Sequence, residues 1–287
     1  MDIAFLGTGL LGYPMARRLL EQGHHLNVYN RTPQKASGLA EHGAGLFFSP
    51  AEAVRKSDCV ITVLSDRRAN DEVLFADSKL SYKDKTVIQM GTIAPEESVE
   101  LQKKIYKRGG EYIECPVLGS RREAAAGTLI LMVGATPEKF ANWQSFLKSF
   151  GPDPRYVGGV GKAAALKLAL NHLIAAHAVS FPLSLGLVEK SGIDTALFMG
   201  ILKESALFAP MFERKLPKWL ARDYAGANFP AKHLLKDVEL VLQEARKHNL
   251  APDHLQALQG LLRKTVEKGM GEQDYSAVLE IINPVSP

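Results

Sequence analysis

The chain has 287 residues, of which 35 are basic and 31 acidic, for a net charge of +4, and 46% of it is hydrophobic. That length and apolar share suit one large domain or two ordinary ones with an ample core. The positive excess is small and spread out, with no Lys/Arg block interleaved with aromatics, so it suits anionic small molecules and gives no ground for a nucleic-acid partner.

Asp2 to Leu6 is a short apolar run that reads as a strand, and no basic region or cleavage site precedes it, so no signal peptide is expected. Gly7-Thr8-Gly9-Leu10-Leu11-Gly12 follows at once. A helical pattern then runs from about Leu11 to Gln22, and a second apolar strand covers Leu26 to Tyr29. This strand–glycine turn–helix–strand order is what a dinucleotide-binding unit requires. Gly7 makes the tight turn, Gly9 lets backbone N–H groups approach a pyrophosphate, and Gly12 lets the helix pack closely. The anion then lies on the positive end of that helix. In NAD-preferring proteins an acid about 20 residues beyond the glycines holds the ribose 2′-hydroxyl. Here the strand ends Asn30-Arg31-Thr32, with no charge on Asn30 and a planar cation, suited to phosphate, on Arg31. NADP(H) is the cofactor expected.

Thr32 to His42 reads as one helix ended by Gly43, and Ser49-Pro50 opens another through Val54. Asp58 to Leu64 is a buried strand, followed by a polar loop from Ser65 to Asn70 at the end where ligands gather in such sheets. Arg68 to Phe75 is weakly helical, Lys85 to Gln89 is a strand, and Met90 to Pro95 is a loop before a helix from Pro95 to Lys107. Glu111 to Cys115 is a strand, after which a Gly/Ala-rich loop reaches Gly127. Leu129 to Val133 and Tyr156 to Val157 are the last strands, with a helix from Pro137 to Phe150 between them. Cys59 and Cys115 are the two cysteines. Both lie in strand-like runs as small core residues, and their number gives no disulfide framework and points to a reducing, cytoplasmic compartment.

From Lys162 onward only helical periodicity remains, broken at Gly192, Pro210, Pro217, Pro230 and Pro252. The expected architecture is therefore α/β: a Rossmann-type doubly wound domain over residues 1–160 and an all-helical domain over 161–287. A long helix over 162–190, roughly 43 Å at 1.5 Å per residue, would link them. Leu168 to Val188 lacks Asp, Glu, Lys and Arg. It carries Asn171, His172, His177, Ser180 and Pro182, which are costly in lipid, so a buried helix is expected rather than a membrane span. So long an apolar helix also asks for a second subunit, and a homodimer or homotetramer is expected.

Lys167 and Asn171 are one turn apart on this helix, on a face otherwise lined by Ala163, Ala164, Leu168, Leu170 and Ile174. A lysine in a partly dry site can donate a proton to a carbonyl oxygen as hydride arrives, and an asparagine can hold the lysine or a substrate hydroxyl. Taken alone, the pair reads rather as a solvated helix surface, since most lysines on helices face water. A second group lies at Phe229-Pro230-Ala231-Lys232-His233-Leu234-Leu235-Lys236-Asp237, where Lys232 and Lys236 are one turn apart. His172, His177 and His233 lack partners at metal-ligand spacing, and no metal site is read.

These residues together resemble the β-hydroxyacid dehydrogenases over the whole chain. Four motifs match in order: Gly7 to Ala16; Pro116-Val117, Gly119 and Gly127-Thr128-Leu129; Gly161, Lys167-Leu168 and Asn171; and Lys236-Asp237. Asn30-Arg31-Thr32, Leu64-Ser65-Asp66 and the Phe229–Asp237 phrase are most similar to the NADPH-dependent glyoxylate/succinic semialdehyde reductase branch. The resemblance implies that Lys167 is the catalytic lysine and Asn171 its support. It also implies that Thr92 and Phe229 lie near nicotinamide and substrate, with Lys236 and Asp237 closing the site. The cofactor-binding set is then Gly7 to Gly12, Asn30, Arg31, Thr32, Leu64, Ser65, Asp66, Thr92 and Lys236, and the substrate set adds Leu118, Gly119 and Ser120. Two departures stand out. Leu118 occupies the place of the family's usual serine, removing a donor for a substrate carboxylate, which Ser120, Arg121 or Arg122 would have to replace; and Ala163 stands where glycine is common. The expected reaction is NADPH-dependent reduction of a small aldehyde acid. Rival readings are NAD-linked oxidation of a 3-hydroxy acid, imine reduction, whose enzymes lack the lysine, and a non-catalytic cofactor-binding scaffold.

Overall fold

The structure is a computed structural model that describes residues 1–284. The chain forms two compact units, Met1–Lys167 and the residues from Leu168 onward.

In the first unit, β1 (Asp2–Leu6), β2 (His25–Tyr29), β3 (Gly45–Phe47), β4 (Cys59–Thr62), β5 (Thr86–Gln89) and β6 (Glu111–Glu114) form a parallel sheet in the order β3-β2-β1-β4-β5-β6. β8 (Ile130–Gly134) runs antiparallel to β6 and pairs with β7 (Val117–Leu118) and β9 (Arg155–Gly158). The strand order reverses between β1 and β4, which is where an open α/β sheet leaves a crevice beyond its carboxyl ends.

Alternate residues of the central strands feed two cores. Ile3, Phe5, Cys59, Ile61 and Ile88 pack with Met15, Ala16 and Leu19 of α1 (Gly12–Glu21). Ala4, Leu6, Val60 and Val87 pack on the other face. Their partners are Val54 of α3 (Pro50–Arg55), Leu74 of α4 (Arg67–Phe75), and Leu101 and Ile105 of α5 (Pro95–Lys107). With both faces covered, β4 and β5 are buried at every residue, which is why they read as unbroken apolar runs. Each fully buried aliphatic side chain stabilises the unit by about 1.5–3 kcal/mol. Both cysteines are free and fully buried, and burial pushes their thiols above the ordinary range.

Four expectations for this unit are corrected. Residues 32–42 are not one helix but a tight turn at Pro33–Lys35 followed by the single turn of α2 (Ser37–Ala40). The Ser37 hydroxyl donates to Gln34 O at 2.9 Å, a local bond that competes with helix continuation. The short edge strand β3 was not anticipated, since Gly45 within it dilutes the apolar signal. The supposed loop up to Gly127 holds β7 and α6 (Arg121–Ala126). The helix Pro137 was expected to open is α7 (Pro137–Leu147), stopping short of the buried Phe150.

The helix α8 (Lys162–Lys190) begins in the first unit, and its residues from Leu168 belong to the second. It is followed by α9 (Thr195–Glu204), α10 (Pro210–Ala221), α11 (Ala231–Lys247), α12 (Asp253–Thr265) and α13 (Leu279–Ile282). Pro217 does not break the chain as expected but lies inside α10, where the lost backbone bond is offset by packing. Phe212 and Trp219, on either side of it, stack on Phe181 with ring centroids 4.6 and 4.8 Å away. Below this stack, the Lys215 ammonium lies 2.7 Å from both oxygens of Asp274, which is fully buried and also accepts from the Ser276 N–H and hydroxyl.

By length and composition α8 could cross a membrane, and 39% of its most apolar stretch is buried. The expectation of a buried helix thus holds for one side only. Ala175, Ala178, Phe181 and Leu185 are buried, whereas Leu173, Leu183 and Leu187 are exposed.

The same unit holds a histidine whose surroundings disfavour its charged form. His172 is half-buried with its ring 5.4 Å from that of His254, and burial first, then His254, holds its pKa below the ordinary histidine value. His233 is lowered in the same direction, by burial and then Lys232 and Lys236. A histidine with a depressed folded-state pKa binds fewer protons folded than unfolded. Its contribution is therefore present above about pH 6.5 and is lost as pH falls. Calorimetric melting is expected to show a falling Tm from pH 7 to pH 5, with a shallower fall in His172→Gln. Identical slopes would show that His172 does not carry the effect.

Candidate active site

The glycine loop forms where β1 ends. Gly7 has φ +105°, and a Cβ there would come within 2.5 Å of Val63 O. At Gly12 a Cβ would come 2.0 Å from Gly7 O, so only glycine lets α1 start this close to the turn. Thr8 N–H donates to Asn30 Oδ1 at 2.9 Å, and Asn30 Nδ2 donates to Thr32 O at 2.7 Å. Asn30, expected at the cofactor ribose, therefore spends its amide bracing the loop. Thr8 Oγ1 is buried without a hydrogen-bond partner, and nothing lies within 4 Å of where a Gly9 Cβ would be. The residue before α1 is Leu11, which supplies no side-chain cap, and the first turn has no acid. These features leave N–H groups at a positive helix end facing open space, the arrangement that takes a phosphate.

Next to the loop lies a cavity of about 290 Å³ lined by Thr8, Gly9, Leu10, Tyr13, Pro14, Lys35 and Arg121. Lys35 and Arg121 bring two cations to it. Lys35 was not anticipated, although its place four residues after Arg31 on the same connection is plain in the sequence. Arg121, expected as a stand-in anchor for the substrate carboxylate, lines the glycine-loop cavity instead. Arg31 and Thr32 are exposed on the connection after β2.

The loops after β4 and β5 meet the same point. The Leu64 side chain lies 2.9 Å from the place of a Gly7 Cβ, and Leu64 O lies 2.4 Å from that of a Gly91 Cβ, the residue before Thr92. Ser65 and Asp66, expected on the cofactor, are occupied locally. Asp66 Oδ1 accepts from Ala69 N–H at 2.8 Å as the cap of α4, and its Oδ2 accepts from the Ser65 hydroxyl at 2.7 Å. Thr62 Oγ1 and Gln89 Oε1, at the ends of β4 and β5, are buried without hydrogen-bond partners.

Leu118 is half-buried in β7, and Gly119 turns the chain at φ +137°. Ser120 caps α6: its N–H and hydroxyl both donate to Glu123 Oε2, at 2.8 and 2.5 Å. The hydroxyl that was to replace the missing serine is thus committed to Glu123. The Ser-x-x-Glu spacing signals this box, and the Gly/Ala-rich composition masked it.

Lys167 is largely buried, at 8% exposure, on the sixth residue of α8. Asn171 follows one turn later. Within the second unit, Asn171 Nδ2 donates to Asp237 Oδ2 at 2.6 Å, and Lys236 forms an ion pair with Asp237 Oδ1 at 2.8 Å. Asn171 and Asp237 are both 2% exposed, and Asn171 Oδ1 has no hydrogen-bond partner. Asn171 and Asp237, 66 positions apart in the sequence, are thereby brought together with Lys236. Phe229 is half-buried, edge-on to Tyr275 at 5.9 Å. Among the described residues no His, Cys, Asp and Glu cluster suits a metal ion.

Residues 2–159 match the family described as the NAD binding domain of 6-phosphogluconate dehydrogenase, and residues 161–282 the family described as NAD-binding of NADP-dependent 3-hydroxyisobutyrate dehydrogenase. The chain is 33% identical to glyoxylate/succinic semialdehyde reductase 1 of Arabidopsis thaliana over 98% of each chain. It is 30% identical to mitochondrial 3-hydroxyisobutyrate dehydrogenase of Drosophila melanogaster, over 98% of this chain and 89% of that one. Among solved structures, 3-hydroxyisobutyrate dehydrogenase of Mycobacterium tuberculosis superposes with a TM-score of 0.85 at 24% identity, over 98% of both chains, a likeness of fold. With matches to both domain families and to relatives along nearly its whole length, the chain belongs to the β-hydroxyacid dehydrogenase family of NAD(P)-dependent oxidoreductases acting on hydroxyl and carbonyl groups.

Proposed function

We propose that this enzyme is an NADPH-dependent reductase of small aldehyde acids of the succinic semialdehyde and glyoxylate type. The observation that carries the cofactor choice is the connection after β2. Asn30 to Ala40 holds no acid, the Asn30 amide is spent on the loop, and Lys35 lines the cavity beside Thr8 and Gly9. A ribose 2′-hydroxyl finds no carboxylate there, whereas a 2′-phosphate finds Arg31 and Lys35. The substrate class is supported by the Arabidopsis relative.

In this reading Gly7 to Gly12 receive the pyrophosphate, Leu64 and Thr92 border the nicotinamide end, and the reduced dinucleotide supplies the hydride. Lys167 delivers a proton to the carbonyl oxygen as charge builds on it. Asn171, anchored by Asp237, holds the oxygen or the ammonium in line, and Lys236 adds positive charge for the substrate carboxylate. With Leu118 apolar and Ser120 tied to Glu123, less of that carboxylate's charge is met from β7 and α6. A homodimer or homotetramer completes the proposal, supported by the exposed Leu183, Leu187, Leu197 and Ile201 of α8 and α9.

The test is turnover of succinic semialdehyde and glyoxylate with NADPH and with NADH, for wild type and for Arg31→Ala/Lys35→Ala. A charge-assisted bond contributes ~1.5–3 kcal/mol, so removing the pair is expected to raise the NADPH KM by about 10–100-fold and leave the NADH KM little changed. Equal effects on both cofactors would remove the 2′-phosphate assignment. Turnover of cyclic imines in place of either acid would transfer the enzyme to imine reduction.

A further inference from the structure

Glu114 ends β6 with its side chain fully buried, among the few acids so placed in this chain. A carboxylate out of water needs strong partners, and it finds them at the start of α8. Its Oε2 accepts from Gly161 N–H at 2.8 Å, and its Oε1 accepts from Ala164 N–H at 2.7 Å. Gly134, opposite it on β8, leaves no room on the other side: a Cβ there would come 2.7 Å from Glu114 Oε1. Burial holds the carboxyl pKa above the ordinary carboxylate value, although the Ser98 hydroxyl and the N–H groups of Ala164, Gly161 and Ala163 act against it. Ser98 in turn lies 2.9 Å from the Tyr112 hydroxyl on β6.

Most helix caps come from the residue just before the helix. This one comes from a sheet strand 47 and 50 positions earlier in the chain. It therefore does more than satisfy N–H groups: it fixes the first turn of α8 to β6. Lys167 is three residues beyond Ala164, less than one turn from the tie. Gly161, Ala164, Lys167 and Glu114 all belong to the first unit, the one whose strand ends carry the glycine loop.

We propose that Glu114 is a positioning residue for the reaction. It holds the first turn of α8 at a set height on the sheet, so that the Lys167 ammonium meets the reacting oxygen. The inference rests on the role given to Lys167 above. Positioning is a sensitive quantity, because a displacement of ~1 Å at a reacting group lowers rates by roughly 100-fold.

Glu114→Gln keeps the side-chain volume but turns one acceptor into an NH₂ facing a backbone N–H. The experiment measures kcat, substrate KM, NADPH Kd and the deuterium isotope effect from NADPH labelled at the transferred position. It compares wild type, Glu114→Gln, Lys167→Ala and the double variant, each normalised to folded protein. The expected result is a loss in kcat of about tenfold or more, with NADPH Kd within about twofold and an isotope effect on kcat at least as large as in wild type. In the Lys167→Ala background the same change is expected to alter kcat by less than about twofold, because groups acting through one another are not additive. A lowered Tm with unchanged kcat would make Glu114 a structural cap only and overturn the inference, as would equal losses in both backgrounds. Glu114→Asp, which keeps charge and both acceptors but is one methylene short, decides the matter by the same readouts if Glu114→Gln does not fold. Full activity of Lys167→Ala by itself would instead overturn the role of Lys167, and the inference with it, whatever Glu114 variants do.

Discussion

Lys167→Ala is expected to lower kcat at least ~100-fold while NADPH Kd changes by no more than a few-fold, since general acid–base groups contribute about 10²–10⁴ in rate. The effect comes from charge developing in a dry place. Lys167 is largely buried, and an alkoxide forming beside it without a proton donor would be left nearly unsolvated. The glycine loop is held by Asn30 and by its own close packing, so NADPH binding is expected to survive the substitution. Steady-state kinetics with both aldehyde acids, together with a fluorescence titration of NADPH, measures the two quantities. Retention of wild-type kcat would remove Lys167 from the proton step. A parallel loss of NADPH affinity would make it a cofactor ligand instead.

The largest stability effect is expected at Lys215. Its ammonium bonds both oxygens of Asp274 and sits 4.3 Å from the centre of the Tyr275 ring, with a side chain only 11% exposed. Burial lowers its pKa and Asp274 raises it, with burial the stronger. Breaking a buried pair leaves one charge without compensation, and Lys215→Ala is expected to cost about 3–5 kcal/mol. Lys215→Met with Asp274→Asn is expected to recover most of that, because no charge is then left unpaired. Denaturant titrations of the single and double variants measure this. A loss below about 1 kcal/mol in Lys215→Ala would mean that water reaches Asp274 and screens it.

The parts of the fold legible in the sequence are those whose cause is local. β1, the glycine turn and α1 follow from the four apolar residues Ile3 to Leu6, three spaced glycines and an amphipathic helix. The fully buried β4 and β5 announce themselves as short β-branched runs, and Pro95 marks the start of α5. The illegible parts have causes at a distance or in competing signals. The 32–42 segment has helical spacing, yet local bonds such as Ser37 to Gln34 break it. α6 hid within alanines and glycines although its Ser-x-x-Glu box was present. Arg121 could be read as a cation, but which cavity it lines depends on α6 lying beside α1. Asn30 was read toward the ribose because position alone suggested it. Its actual partners, Thr8 and Thr32, emerge only once the loop is folded. Glu114 gave no sequence signal, since its partners are supplied by a turn almost fifty residues away. Lys167 by itself was indistinguishable from a helix-surface lysine, and only its place among four ordered motifs raised it above that.

The two cysteines make the protein its own reporter of opening. Cys59 and Cys115 are wholly covered, and their thiols are held protonated by burial, so a maleimide or disulfide reagent finds no nucleophile in the closed state. Both belong to the first unit, and the chain has no other thiol. Labelling rates in native buffer therefore follow the excursions of the nucleotide-binding sheet alone and are blind to the helical unit. A substitution such as Lys215→Ala that loosens only the helices would leave labelling slow while far-UV dichroism fell, separating the opening of one unit from the other in a single unmodified chain.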